Sequence, residues 1–221
     1  MPIGVDFEGR LVVVTGAAGN LGRAVVAMLK TLNADVQAPK DPADGGPDLA
    51  RESAVHLWYR RHPTMWASVN LAGGFAMTDI GDTNEDMLQH MWRMNARSCF
   101  LCCREAIRIF RVHGGGGRIV NVSARAALEP RNAGGMVAYA LSKSAVATMT
   151  EAIGEEVARE NIFVNSVAPS ILDTEENRRA QPDADYSSWV TLEAAAQAIT
   201  FLASPQNQAI RSANIPLYAT G

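Results

Sequence analysis

Residues 10–22 read Arg10-Leu11-Val12-Val13-Val14-Thr15-Gly16-Ala17-Ala18-Gly19-Asn20-Leu21-Gly22. A short β-branched run ending in a glycine-rich turn is the pattern of a strand buried on both faces, as strands of parallel sheets are. Beyond the turn, apolar residues recur at Leu21, Ala24, Val25, Met28, Leu29 and Leu32. That is the 3.6-residue period of a helix lying on a sheet. Strand, glycine turn and helix in this order predict an α/β chain.

The same alternation continues outward. Apolar strands are predicted at Met65–Leu71, Arg118–Ser123 and Ile162–Ala168, with long helical patterns at about Glu85–Val112 and Val137–Glu160. A last helix, about Leu192–Ala203, precedes a short strand near Ala213–Tyr218. Together they predict a doubly wound parallel sheet. Gly114 to Gly117 read as a helix-to-strand turn, because a strand and not a helix follows them.

The 26 residues from Pro39 to Thr64 break the pattern. Helix, strand and helix would need roughly 28 residues there from mean element lengths alone. Asp41-Pro42-Ala43-Asp44-Gly45-Gly46-Pro47 has neither β-branched residues nor helical periodicity, so it is no central strand. Only Leu49–Arg61 reads as a helix. One helix and most of one strand are therefore expected to be missing.

Composition bounds the function. Of 221 residues 48% are apolar and 19% charged, which excludes a disordered chain and predicts one packed domain over 1–221. The net charge of −3 argues against a nucleic-acid binder. No apolar run approaches the ~18 residues of a membrane span. The stretch Met1 to Glu8 has no apolar core of a signal peptide, so a cytoplasmic location is expected. Cys99, Cys102 and Cys103 are an odd number within one helical pattern, read as packing residues and not as a disulfide or zinc framework. No metal is expected.

Four constellations carry chemistry. Thr15, Gly16, Gly19, Asn20, Leu21 and Gly22 form a strand-to-helix turn that lets backbone approach a pyrophosphate facing the helix N-terminus. Tyr139 and Lys143 stand at i and i+4, on one helix face. A cation beside the phenol lowers its pKa from ~10, suiting Tyr139 to general acid–base work. Ser123 closes a central strand where α/β sheets bind ligands. Asn70 ends another strand before Ala72-Gly73-Gly74-Phe75, and Asn95 sits inside the next helix, where Asn is a mediocre helix former. An interrupted helical hydrogen bond at Asn95 can bridge a water to Lys143. Each feature alone also has a plain packing or surface reading; their joint order is what separates them from chance.

That order resembles the short-chain dehydrogenase/reductase family, over essentially the whole chain. The resemblance implies a Rossmann-like fold and hydride transfer between a nicotinamide cofactor, NAD(P)(H), and a carbonyl, imine or alcohol. It implies Tyr139 as proton donor, Lys143 as the group that lowers its pKa and holds the nicotinamide ribose, Ser123 as orienter of the substrate oxygen, and Asn95 behind a relay water. It further implies Asn70, Ala72 and Gly73 on the adenine-ribose side, and Pro169, Ile171 and Thr174 near the carboxamide, with Ser170 in place of the usual glycine. Ala72-Gly73-Gly74 before an aromatic, Ala126-Ala127-Leu128 and Pro182 to Trp189 are similar to quinonoid dihydropteridine reductases, as is the placing of Gly19 and Asn20. Asn20, in a family glycine position, is expected to tolerate a left-handed backbone.

At the adenine end Lys40 stands near the position that selects between cofactors, giving a slight lean to NADP, while Asp41 beside it can restore NAD. Asp48-Leu49 is similar to the family's adenine-contacting pair. Phe75, Arg125 and Trp189, with Ser123 and Tyr139, are the candidate substrate contacts, and Arg125 hints at an anionic or polar small-molecule substrate. The family's usual homodimer or homotetramer through the two long helices is expected, with Met91, Met94 and Cys102 available. The rival to an enzyme is a dinucleotide-binding sensor or scaffold of the same fold, with a trimmed adenine pocket.

Overall fold

In the computed structural model residues 4–219 are described; Met1, Pro2 and Ile3 of the N-terminal stretch read above lie outside them. Six strands form one parallel sheet: β1 (Leu11–Thr15), β2 (Asp35–Gln37), β3 (Ala67–Asn70), β4 (Gly117–Val122), β5 (Ile162–Pro169) and β6 (Ala213–Leu217). Their spatial order is β2-β1-β3-β4-β5-β6. All five pairings are parallel. The doubly wound sheet is therefore as expected.

Alternation along β1 shows why the run is apolar throughout. Val12 and Val14 face one layer with Val25 and Leu29 of α1 (Asn20–Thr31) and Ile199 and Leu202 of α8 (Leu192–Ala203). Val13 faces the other, with Val55 and Tyr59 of α2 (Glu52–Tyr59), Phe110 of α4 (Ser98–His113) and Val146 of α6 (Val137–Glu156). Every strand residue of this β1 core is thus sealed by a helix.

The shortage between residues 39 and 64 is real. β2 has three residues, partly exposed, at the sheet edge. A 3₁₀ turn at Pro42–Asp44 follows, with the Asp41 carboxylate accepting from Ala43 N at 2.9 Å and Gly45 left-handed at φ 80°. No further strand forms before β3 among the described residues. The helix predicted from Leu49 begins at Glu52, because Asp48 turns the chain first by accepting from Ala50 N. The long pattern from Glu85 divides into α3 (Glu85–Met91), a π-helical turn (Trp92–Arg97) and α4. The remaining short helices are α5 (Arg125–Leu128) and α7 (Glu175–Ala180). Among the described residues no helix is long and apolar enough to cross a membrane, and no cluster of metal-ligating side chains occurs. The three cysteines are buried free thiols.

Candidate active site

Strand order reverses between β1 and β3, whose last residues, Thr15 and Asn70, pair in register. Ligands of doubly wound sheets bind at such a switch point, outside the carboxyl ends of the strands. The loops leaving both strands are tied together there by Ala72 N, which donates to Thr15 Oγ1 at 3.3 Å. Gly16 has φ +67°, and a Cβ on it would stand 2.6 Å from Ala72 N. A Cβ on Gly22 would overlap the Gly16 carbonyl oxygen. These glycines are required by close backbone approach. Gly19 caps α1 with no side-chain acceptor, and the first turn carries no acid, so the N–H groups of Asn20, Leu21 and Gly22 stay open to an anion. This cradle fits a dinucleotide pyrophosphate.

Asn20 differs from expectation. It is the first residue of α1 and has no positive φ; its side chain accepts from Arg23 at 2.7 Å. The left-handed backbone of this turn lies at Gly16 instead.

Beside the switch point, β4 ends at Val122 and delivers Ser123. Its Oγ donates to Val167 O at 3.2 Å and lies 3.3 Å from Ser166 Oγ. Lys143 Nζ donates to Val122 O at 2.8 Å, pinning α6 beside the same strand end. One turn earlier, Tyr139 meets Phe75 edge-to-face with ring centroids 4.9 Å apart. Lys143 Nζ is 5.9 Å from the Tyr139 ring centre.

The expected depression of the Tyr139 pKa is not what this arrangement yields. Burial pushes Tyr139 up to about 12 and pushes Lys143 down to about 8. The ammonium is engaged by the Val122 carbonyl, and desolvation disfavours the charged form of each group.

Asn95 lies inside the π turn, where the hydrogen bonds run from i to i+5 instead of from i to i+4. Its Nδ2 donates to Ser142 Oγ and to Gly74 O, both at 3.0 Å, and its Oδ1 accepts from Gly74 N at 2.9 Å. Asn95 thus joins α6 to the loop after β3. A Cβ on Gly73 would stand 2.5 Å from Asn95 Oδ1, and one on Gly74 2.8 Å from the Met94 methyl, which explains the glycine pair.

Other expected contacts fall differently. Asn70 turns inward: Nδ2 donates to Asn121 Oδ1 at 2.9 Å, and Oδ1 accepts from Ser68 Oγ at 3.0 Å. Only its backbone and the following Ala72 and Gly73 border the crevice. Lys40 is exposed, whereas Leu49 packs into the core and Asp48 faces Arg93 at 3.5 Å. Pro169 ends β5, Ile171 is exposed, and Thr174 caps α7 by accepting from Asn177 N at 3.1 Å. Arg125 pairs with Glu129 at 2.7 Å and covers the Tyr218 ring, so its charge is not free for an anionic substrate. Trp189 is 6% exposed and packs at a tilt against Tyr186, with ring centroids 4.8 Å apart, as a packing residue of the segment after α7. Met91 and Cys102 are likewise buried within the chain. The π turn, α4 and α6 present Trp92, Phe100 and Leu141 to solvent instead. Ser142 and Ser166 escaped sequence reading. Ser142 alone had a signal, three residues after Tyr139 on the same helix.

A doubly wound sheet with a glycine cradle at its switch point and a Tyr/Lys pair beside a strand-end serine defines a dinucleotide-dependent oxidoreductase class. Residues 48–185 match the short chain dehydrogenase family, and the chain belongs to it. It is an enzyme of NAD(P)-dependent oxidoreduction. A 3beta-hydroxysteroid dehydrogenase of Mediterraneibacter gnavus is 29% identical over 203 residues, covering 80% of this chain and 71% of that protein. An L-xylulose reductase of Caenorhabditis elegans is 26% identical over 204 residues, covering 84% and 80%. A short-chain type dehydrogenase/reductase from Mycobacterium ulcerans superposes with a TM-score of 0.86 at 22% identity, covering 96% of this chain and 90% of that one.

Proposed function

We propose that this chain, as one domain, reduces a neutral carbonyl or imine at the expense of NAD(P)H, with Tyr139 as the proton donor. The observation that supports this reading is the Lys143 Nζ bond to Val122 O, the residue before Ser123, one helical turn from Tyr139. A Tyr139 pKa near 12 keeps the phenol protonated at neutral pH, ready to give its proton to a substrate oxygen. Ser123 Oγ, on rotating from the Val167 carbonyl, donates to the same oxygen. Lys143 remains largely protonated below about pH 8 and supplies a positive field beneath the phenol. Asn95 holds the loop that carries Phe75 over Tyr139.

When bound, the nicotinamide cofactor supplies the hydride. Gly16 and Gly19 to Gly22 would receive its pyrophosphate, and Asp48, Ala72 and Gly73 its adenosine. Tyr139 and Lys143 would meet the nicotinamide ribose, and Pro169, Ile171 and Thr174 its carboxamide. Lys40, exposed beyond the short β2, favours a 2′-phosphate and hence NADP. Phe75, 60% exposed, is the principal apolar contact offered to substrate. The closed Arg125–Glu129 pair argues for a neutral substrate there. Three free thiols suit a reducing, cytoplasmic compartment. Trp92, Phe100 and Leu141 suit a homodimer or homotetramer.

The test is turnover of a panel of quinonoid pterins, quinones and small ketones with NADH and with NADPH. Tyr139→Phe should lower turnover of any substrate found by 10²–10⁴-fold; unchanged turnover would overturn the assignment.

A further inference from the structure

On the layer opposite α1, helices α2 and α4 leave a groove of roughly 560 Å³ between them. Its walls are cationic. Arg97, Arg104 and Arg108 are spaced by seven and four residues, which places them on one face of a continuous helical stretch. Arg51, just before α2, and His56 on α2 approach from the other side. Among the described residues two carboxylates answer them. Arg104 meets Glu52 at 2.8 Å and Glu105 at 2.9 Å, Arg108 meets Glu105 at 2.7 Å, and His56 Nδ1 meets Glu105 at 2.9 Å. Glu105 is itself buried, so its charge is consumed beneath the groove.

Among the described residues Arg51 and Arg97 have no carboxylate within 4 Å. Four guanidiniums against Glu52 and Glu105 leave a local charge of about +2, in a chain whose net charge is −3. Like charges gathered on a folded surface repel one another. Guanidinium forks are the side chains best matched to bidentate oxyanions.

We propose that this groove is a binding site for a multiply charged phosphate-bearing anion, separate from the glycine cradle. Arg51 and Arg97 supply the free forks, and Arg104 and Arg108 supply the flanking charge. The site borders the adenosine side of the crevice: Arg51 N donates to Asp48 O at 3.0 Å, so an occupant held by Arg51 acts next to Asp48.

The experiment is calorimetric titration of the full chain with sodium tripolyphosphate at low and high ionic strength. With the glycine cradle filled by saturating NADPH, the expected result is one saturable site that weakens with salt. It should lose at least tenfold affinity in the double variant Arg51→Gln/Arg97→Gln, whose residues hold no carboxylate in the fold. Tripolyphosphate should remain bound when NADPH saturates the cofactor site, and NADPH affinity measured by fluorescence should change less than threefold in the variant. Absence of binding, or binding unchanged in the variant (an adventitious anion only), overturns the proposal. So does complete displacement of tripolyphosphate by NADPH, which would assign the phosphate to the cofactor's own seat. Loss of a wild-type dimer in the variant, by light scattering without anion, would assign the arginines to a second copy of the chain and equally overturn it.

Discussion

The Asn95 carboxamide closes a ring with the Gly74 peptide, accepting from its N–H at 2.9 Å and donating to its C=O at 3.0 Å. A side chain in an irregular helical turn thereby does for a loop what a neighbouring strand would do. Asn95→Ala leaves both groups of Gly74 without partners. It should cost about 1–3 kcal/mol in urea unfolding, and raise KM for NAD(P)H more than it lowers kcat. An unchanged midpoint would show that water replaces the clamp.

The two titrations at Tyr139 and Lys143 give a signed pH dependence. With Tyr139 near 12 and Lys143 near 8, both are protonated at pH 7. Carbonyl reduction should therefore hold across neutral pH and decline as pH rises through about 8, where Lys143 loses its charge. The profile of kcat/KM checks this, and a fall centred below pH 7 would contradict it. Stability carries the opposite sign: between about 8 and the unfolded value near 10.4 the unfolded chain binds the extra proton, so folding gains as pH rises. The Tm difference between wild type and Lys143→Met should move in the wild type's favour over that window.

Gly22→Ala sets a methyl group against the Gly16 carbonyl oxygen, and backbone cannot yield as a flexible side chain would. Destabilisation of about 1–3 kcal/mol is expected, with weakened NAD(P)H fluorescence enhancement. Gly134→Ala is the control, since a Cβ there meets nothing within 4 Å; it should stay within about 0.5 kcal/mol.

Phe75→Ala removes an exposed ring from the Tyr139 edge. Stability should change by no more than about 0.5–1 kcal/mol, while KM for an apolar substrate rises and the Tyr139 pKa falls as water reaches the phenol. Ultraviolet titration against Tyr139→Phe isolates that shift. An unmoved pKa would mean that other neighbours enclose the hydroxyl.

Tyr59, fully buried on α2, places its hydroxyl 2.8 Å from Ser68 Oγ. Tyr59→Phe should cost about 1–2 kcal/mol without altering kcat. A larger loss would mean that the Ser68–Asn70–Asn121 chain reorganises with it.

Some of this was legible because it is local. The β1 run, the glycine turn and the α1 periodicity lie within about twenty residues and obey short-range geometry. Tyr139 and Lys143 share a face by helical spacing alone. The missing strand was legible as an arithmetic deficit, because Asp41 to Pro47 contains nothing a sheet interior accepts. Asn70 was not legible in the same way. A strand-end Asn has two faces to choose from, and Asn121 on the next strand decides which. Arg125 looked available beside Ser123 until Glu129, one helical turn on, took its charge. Trp189 looked like a substrate contact because burial of a loop aromatic depends on its distant neighbours.

By itself the sequence determined the strand–helix order, the cradle, and the identities and spacing of the reactive groups, since each follows from backbone sterics and periodicity over a few residues. Only the tertiary structure decided their electrostatic state. Desolvation and hydrogen bonding depend on what long-range packing brings near. The Val122 carbonyl and the Phe75 ring reach α6 from segments about twenty and about sixty residues away, and burial among such distant segments raises the Tyr139 phenol to about 12.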